Sequence, residues 1–219
     1  FNNQDSLQQA LLSLDKMMMG GIYDQLGGGF ARYSTDKFWI APHFEKMLYD
    51  NAQLISLYAK AFQLTQNSFY KAIVEKTITF AERELRDNCG AFYASIDADS
   101  EHEEGKFYVF TKQEIESVLD EKNCEILLRF YNITEEGNWE DDKNILHYTV
   151  DVSEFAKENG FTTVEFETIL QKAHQQLFAY RSGRIRPTTD DKILCSWNAL
   201  MISGYVNAFK ATGNPEYKE

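Results

Sequence analysis

Residues 50–71 and 197–218 carry the same passage twice. Asn51, Ala52, Ile55, Ser56, Tyr58, Ala61, Phe62, Thr65, Asn67, Tyr70 and Lys71 recur as Asn198, Ala199, Ile202, Ser203, Tyr205, Ala208, Phe209, Thr212, Asn214, Tyr217 and Lys218. Asn51 to Asn198 is a step of 147 positions, and every other pair keeps that step. An internal repeat constrains architecture before any local motif does, because each copy buries its apolar side only against a neighbour. Each copy reads as a helix, a short Thr-x-Asn turn and the start of a further helix. A chain built this way is expected to stack helical hairpins side by side, as a solenoid or a closed ring.

Two further helices frame the first copy. Leu7, Leu11, Leu14 and Met18 recur at helical spacing over residues 5–19, and Gly20-Gly21 stops that run. Residues 21–42, which carry Gly27-Gly28-Gly29, read as a long structured loop with a hairpin around Phe30 to Trp39. Helices are then expected over about His43–Leu64 and Ser68–Leu85. The aromatic segments Ala91–Ser95 and Gly105–Phe110 flank an acidic run and suggest a β-hairpin with a long tip. Thr111 followed by Glu114 is a capping-box signature. Helix is expected there and over 123–131, followed by a polar excursion over 132–150 that ends in an extended piece, Asn144 to Val150. Phe166, Ile169, Leu170, Ala173 and Leu177 mark another helix after Thr163. The last full helix runs from about Ser196 to Ala211, and Asn214-Pro215 opens one more. The total is six or seven helices, with long loops on alternate connections.

Composition narrows the partners. With 22 basic and 34 acidic residues the net charge is −12, which argues against nucleic acid. No apolar run reaches the length of a membrane span. Cys89, Cys124 and Cys195 are isolated, with no Cys-x-x-Cys pair, so no zinc knuckle or dithiol centre is written. Free thiols fit a cytoplasmic location.

Longer motifs carry a resemblance. They run from Gly20-Gly21-Ile22-Tyr23-Asp24-Gln25-Leu26-Gly27-Gly28-Gly29-Phe30 through Arg32-Tyr33-Ser34 and Pro42-His43-Phe44-Glu45-Lys46-Met47-Leu48-Tyr49-Asp50-Asn51. Asp97-Ala98-Asp99-Ser100, Glu103-Glu104-Gly105-Lys106, Arg186-Pro187, Asp190-Asp191-Lys192 and Trp197-Asn198 continue them. Over nearly its whole length the chain resembles the YyaL-type family of thioredoxin-domain-containing proteins. The resemblance implies an all-α fold, an (α/α)6 toroid similar to sugar 2-epimerases and six-hairpin glycosidases, with small β-hairpins in its long loops. Residues 1–219 would be one part of that toroid, truncated at the C-terminus and without the family's N-terminal thioredoxin-like domain. Self-association of such a part is expected from uncovered helical flanks.

In such a toroid the loops at one end build the pocket. His43, Glu45, Lys46, Tyr49 and Asp50 form one cluster at a helix entrance, with Glu45 and Tyr49 four apart on one helical face. Asp97 and Asp99 alternate in an extended segment, and Asp99 is the preferred acid or base of the two. Calcium is disfavoured because His102 stands where an EF-hand loop needs glycine. Asp190, Asp191 and Lys192 precede Trp197-Asn198 as Glu45-Lys46 precede Asp50-Asn51, with a one-residue gap. The acid–lysine pair therefore recurs at equivalent entrances, for chemistry or as a clamp between hairpins. Arg32, Tyr33 and Trp197 complete the candidate ligand contacts. The Gly27–Gly29 run lacks the strand-then-helix context of a phosphate loop.

These residues are candidates for acid–base chemistry, and the resemblance implies a sugar-like ligand for it. Asp99, Asp190, Asp191, His43 and Glu45 are the candidate catalytic groups. Arg32, Tyr33, Lys46, Tyr49, Asp50, Lys192 and Trp197 are the candidate binding groups. No metal and no cofactor are expected. The competing expectation is a non-catalytic helical module that serves a thioredoxin-like domain.

Overall fold

The structure, a computed structural model, describes residues 3–218. It is all-α, with eight α-helices among the described residues and strands of two residues each in the loops. The helices are α1 (Gln4–Met19), α2 (Leu48–Thr65), α3 (Ser68–Glu84), α4 (Lys112–Val118), α5 (Glu121–Phe130), α6 (Val152–Glu158), α7 (Thr163–Ser182) and α8 (Cys195–Thr212). The strands are β1 (Tyr33–Ser34), β2 (Pro42–His43), β3 (Lys46–Met47), β4 (Ser95–Ile96), β5 (Asp99–Ser100), β6 (Glu103–Glu104) and β7 (Thr189–Asp190).

The repeat is written in hydrogen bonds. Asn51 Nδ2 donates to the carbonyls of Phe30 (3.0 Å) and Met47 (2.9 Å), while its Oδ1 accepts from the Phe30 N–H (2.7 Å). Asn198 does the same with the carbonyls of Phe92 (3.0 Å) and Leu194 (3.1 Å) and with the Phe92 N–H (2.8 Å). At the far ends, Thr65 and Thr212 donate to the carbonyls of Ala61 and Ala208 and accept from the N–H groups of Asn67 and Asn214. Gln66 and Gly213 cap the two helices in the left-handed region, at φ 60° and 72°. The repeated polar residues thus fix both ends of a hairpin's first helix. α2 and α8 lie against each other, and Gly204 lets them approach: a Cβ there would lie 3.1 Å from the Ala52 carbonyl.

Two large cores divide the described residues, with a small third cluster of Phe44, Ala98, Val109 and Ile145. The first gathers α1, α2, α3 and α8 around Leu48, Ile55, Tyr58, Val74, Phe80 and Met201. The second gathers α4 to α7 around Phe110, Ile115, Leu127, Phe130, Phe166 and Leu177. The segment from α4 to α7 is therefore a module of its own between α3 and α8. The glycine run 27–29 lies where these bodies meet. Gly28 and Gly29 have φ of 75° and 79°, and a Cβ on Gly29 would fall 2.4 Å from Phe80. Those glycines serve close approach to α3.

Several expected boundaries differ. Residues 43–47 are not helical, because Lys46 and Met47 pair with Ile96 and Ser95, and a strand pairing competes with a helical turn for the same backbone groups. Glu45 and Tyr49 therefore do not share a helical face. The expected hairpin within Phe30 to Trp39 is replaced by pairing of Tyr33 and Ser34 with His43 and Pro42. Segments 91–95 and 105–110 do not pair with each other. Instead β4 lies between β3 and β7, and β5 pairs with β6 through a tight turn at Glu101 and His102, both at positive φ. The capping box at Thr111 and Glu114 is present. α6, capped by Asp151, was not expected from its few apolar positions. Of Asn144 to Val150, only Asn144 makes a bridge, to Phe110. The expected last helix is a short 3-10 turn, Pro215–Lys218.

Candidate functional site

The three-stranded sheet β3–β4–β7 sets α2 and α8 side by side with both N-termini at one face. Asp190 lies across from Ser95, which lies across from Met47. At ordinary strand spacing the two helix entrances are about 10 Å apart.

On this loop face the structure gathers Arg32, Tyr33, His43, Glu45, Tyr49, Asp50 and Trp197. Arg32 pairs with Glu45 at 3.1 Å. His43 Nδ1 lies 2.6 Å from Glu104, Nε2 lies 3.8 Å from Glu45, and the ring stacks on Tyr33 at 5.1 Å. Tyr49 and Trp197 meet edge to face at 4.8 Å, which joins the two repeat copies. Asp50 opens α2 with its carboxyl half-buried, and its Oδ2 is buried without a hydrogen-bond partner. Burial raises this carboxyl to about 6, and nearby Glu45 adds to the rise, against the pull of Arg32 and Tyr49.

The remaining expected residues sit apart from this cluster. Asp99 is exposed on β5. Asp190 is held by its own neighbour Lys192, at 2.8 Å with Lys192 70% exposed, and Asp191 is exposed. That contact lowers the Asp190 carboxyl. Lys46 turns inward instead and is 3% exposed. The two lysines of the repeated acid–lysine pattern therefore do different things: Lys192 makes a local surface pair, and Lys46 ties separate elements together. The one-residue gap explains this, since Ile193 and not Lys192 is the repeat equivalent of Lys46. Neither lysine clamps one repeated hairpin to the other.

Lys46 belongs to a buried cluster that sequence reasoning missed. Asp24 receives Arg181 Nη1 and Nη2 at 2.8 Å each, Lys46 Nζ at 2.8 Å, and the N–H groups of Leu26 and Gly27. Lys46 also donates to the Gly28 carbonyl, and Arg83 to that of Gly27. Burial alone would raise the Asp24 carboxyl, but Arg181 and Lys46 outweigh it and hold it far below the usual range. Burial pushes the Lys46 ammonium down to about 8, Asp24 resists, and Arg181 adds to the fall. This cluster joins the glycine loop, β3 and the end of α7, and so fastens one core to the other. Its sequence signal was Arg181, which continues the apolar stripe Phe166, Leu170, Ala173, Leu177 at the next helical position.

Fold and site together define an all-α protein of packed helical hairpins whose loops build a polar, aromatic face. No family model matches the chain. It is 38% identical to spermatogenesis-associated protein 20 of Homo sapiens over 222 residues, covering 90% of this chain and 28% of that protein. To the Mus musculus protein of the same name it is 34% identical, covering 94% and 29%. The chain thus spans less than a third of these curated relatives. Among solved structures, it is similar to a family 76 glycoside hydrolase from a bovine Bacteroides thetaiotaomicron strain, with TM-score 0.41, 16% identity, and coverage of 98% of this chain and 40% of that one. D-mannose isomerase gives TM-score 0.37 and 16% identity, with coverage of 99% and 49%. At these TM-scores neither likeness bears on chemistry. Among the described residues no helix is long and apolar enough to cross a membrane.

Proposed function

We propose that the loop face around Asp50 binds a sugar or related polyol and that Asp50 exchanges a proton with it. The observation that carries this reading is the Asp50 carboxyl, half-buried at an open polar face with one oxygen unpartnered and its proton held to about 6. A general acid or base works best when its pKa lies near the working pH. Arg32 beside it suits a hydroxyl or a developing negative charge. The Tyr49–Trp197 edge offers an apolar ledge for a sugar ring. Glu45 and His43, in the same cluster, supply the further acid or base. Epimerisation, isomerisation and glycoside hydrolysis all fit such an acid–base pair.

The test uses Asp50→Asn in the full-length protein, with thermal shifts against monosaccharides and short oligosaccharides. A sugar is expected to raise the midpoint of the wild type and not that of the variant. Without ligand the variant should be as stable as wild type at pH 7, or stabler by about 1 kcal/mol after allowance for solvent screening. The sign follows from the raised pKa: above about 6 the folded chain holds a carboxylate that burial disfavours. A carboxylate kept for structure would lose stability when replaced. That loss, or a panel with no shift, refutes the reading.

A second reading, a non-catalytic helical scaffold, is favoured by one face of α8. Ile55 and Ala59 of α2 are buried, whereas their equivalents Ile202 and Val206 are 65% and 44% exposed. α8 thus leaves open the face that α2 covers. Concentration-dependent association, lost on Ile202→Lys, would support that reading.

A further inference from the structure

A cavity of about 490 Å³ opens between α3 and α7, where the two cores meet. None of the loop-face residues lines it, so it stands independently of the sugar reading. Tyr23, Phe130, Tyr131 and Tyr148 give it an aromatic floor. Phe130 stacks on Tyr148 at 4.9 Å. The floor is polar at defined points yet uncharged. Tyr131 Oη and His174 Nε2 share a hydrogen bond of 2.5 Å, and burial pushes His174 down to about 3, so its imidazole is neutral. Tyr23 is 2% exposed and presents its ring to the cavity, while its hydroxyl lies beside that of buried Thr77.

The rim is charged at one end. Lys76 and Arg83 lie seven apart on α3 and both line the opening. Arg83 stacks on Phe178 at 4.8 Å, and the charge of Lys76 acts on His174. α3 and α7 therefore run side by side in the same direction, which puts Glu167 toward the end away from Arg83. Arg83 is occupied by the Gly27 carbonyl and Glu84. Lys76 is exposed at the mouth and makes no ion pair among the described residues. Its ammonium is therefore available to an anion held at the mouth.

We propose that this cavity binds a small molecule with a flat apolar ring system and one anionic group, the rings on the tyrosine floor and the anion at Lys76. Its volume falls in the range of small-molecule pockets, about 300–1,000 Å³. A two-ring aromatic carboxylate matches both the size and the charge.

Titration calorimetry on the full-length protein tests this with 2-naphthoate and its uncharged amide, 2-naphthamide. Naphthoate is expected to bind one per chain, at least tenfold tighter than the amide. Lys76→Gln should remove that difference and leave amide binding unchanged. Gln171→Trp, at an exposed rim position, should weaken both ligands at least tenfold with the thermal midpoint preserved. The proposal is overturned if naphthoate does not bind at millimolar concentration, if acid and amide bind equally in wild type, or if Gln171→Trp leaves both affinities intact. These outcomes are separate from those at Asp50, which lies outside the cavity.

Discussion

Replacing Asp24 by Asn should be among the most damaging single changes in this chain. The carboxyl accepts five N–H bonds and, among the described residues, is the one anion paired with Lys46 and Arg181, whose side chains are each 3% exposed. An amide keeps the shape but leaves both cations, with Arg83 beside them, without a counter-charge. Breaking a buried pair from one side costs about 3–5 kcal/mol. For a domain of this size each kcal/mol moves the midpoint by about 2–4 °C, so Asp24→Asn should fall by roughly 6–20 °C. The cluster also predicts an order. Lys46→Met leaves Arg181 paired bidentately with Asp24 and removes an ammonium that burial has already pushed to about 8. Its cost should be only about 1–2 kcal/mol. Arg181→Met should fall between the two, because Lys46 remains to face Asp24. Urea unfolding of the three variants at pH 7, followed by far-UV circular dichroism and tryptophan fluorescence, measures all of this. Because the cluster fastens one core to the other, Asp24→Asn should also split the transition in two. If Lys46→Met costs as much as Asp24→Asn, excess buried positive charge does not govern the cluster and the reasoning fails.

Two further expectations concern the repeat and the acid response. Asn51 is fully buried and Asn198 only partly, so Asn51→Ala should cost about 3 kcal/mol and Asn198→Ala about half that, read from urea midpoints at constant slope. Equal costs would show that the shared hydrogen bonds do not depend on burial. His174 is held near 3 against an ordinary 6.5, so the unfolded chain takes up a proton that the folded chain refuses. Stability should therefore fall as the pH drops from about 6.5 toward 3, and His174→Gln should flatten that part of the profile. An unchanged slope in the variant would place the acid sensitivity elsewhere.

The helical frame was legible because its signals are local. Apolar spacing and the Thr111 capping box place the helices other than α6 to within a few residues, and the constant step of 147 positions marks α2 and α8 as equivalent. The exception, His43 to Met47, is instructive. Its residues carry enough apolar periodicity to extend α2 backwards, yet strand β4, some fifty residues on, claims the backbone of Lys46 and Met47. Such pairing leaves no mark in the residues themselves. The same is true of the segment from Thr111 to Ser182: periodicity revealed most of its helices but not that they form a second core.

That second core explains why the site was only half legible. Residues near the two helix entrances could be found from the repeat, and Arg32, His43, Glu45, Tyr49, Asp50 and Trp197 do gather there. Lys46 stands in the same motif and points the other way. Its partners, Asp24 and Arg181, are 157 positions apart and meet only because α7 returns against the glycine loop. One motif therefore serves two ends. Its exposed residues face the loop surface, and its lysine anchors the scaffold under them. In the anchor, the Asp24 carboxylate accepts five N–H bonds. At the surface, by contrast, the Asp50 oxygen is left without one. Buried polar atoms are nearly always satisfied, so a ligand group that donates to this oxygen would supply a missing bond.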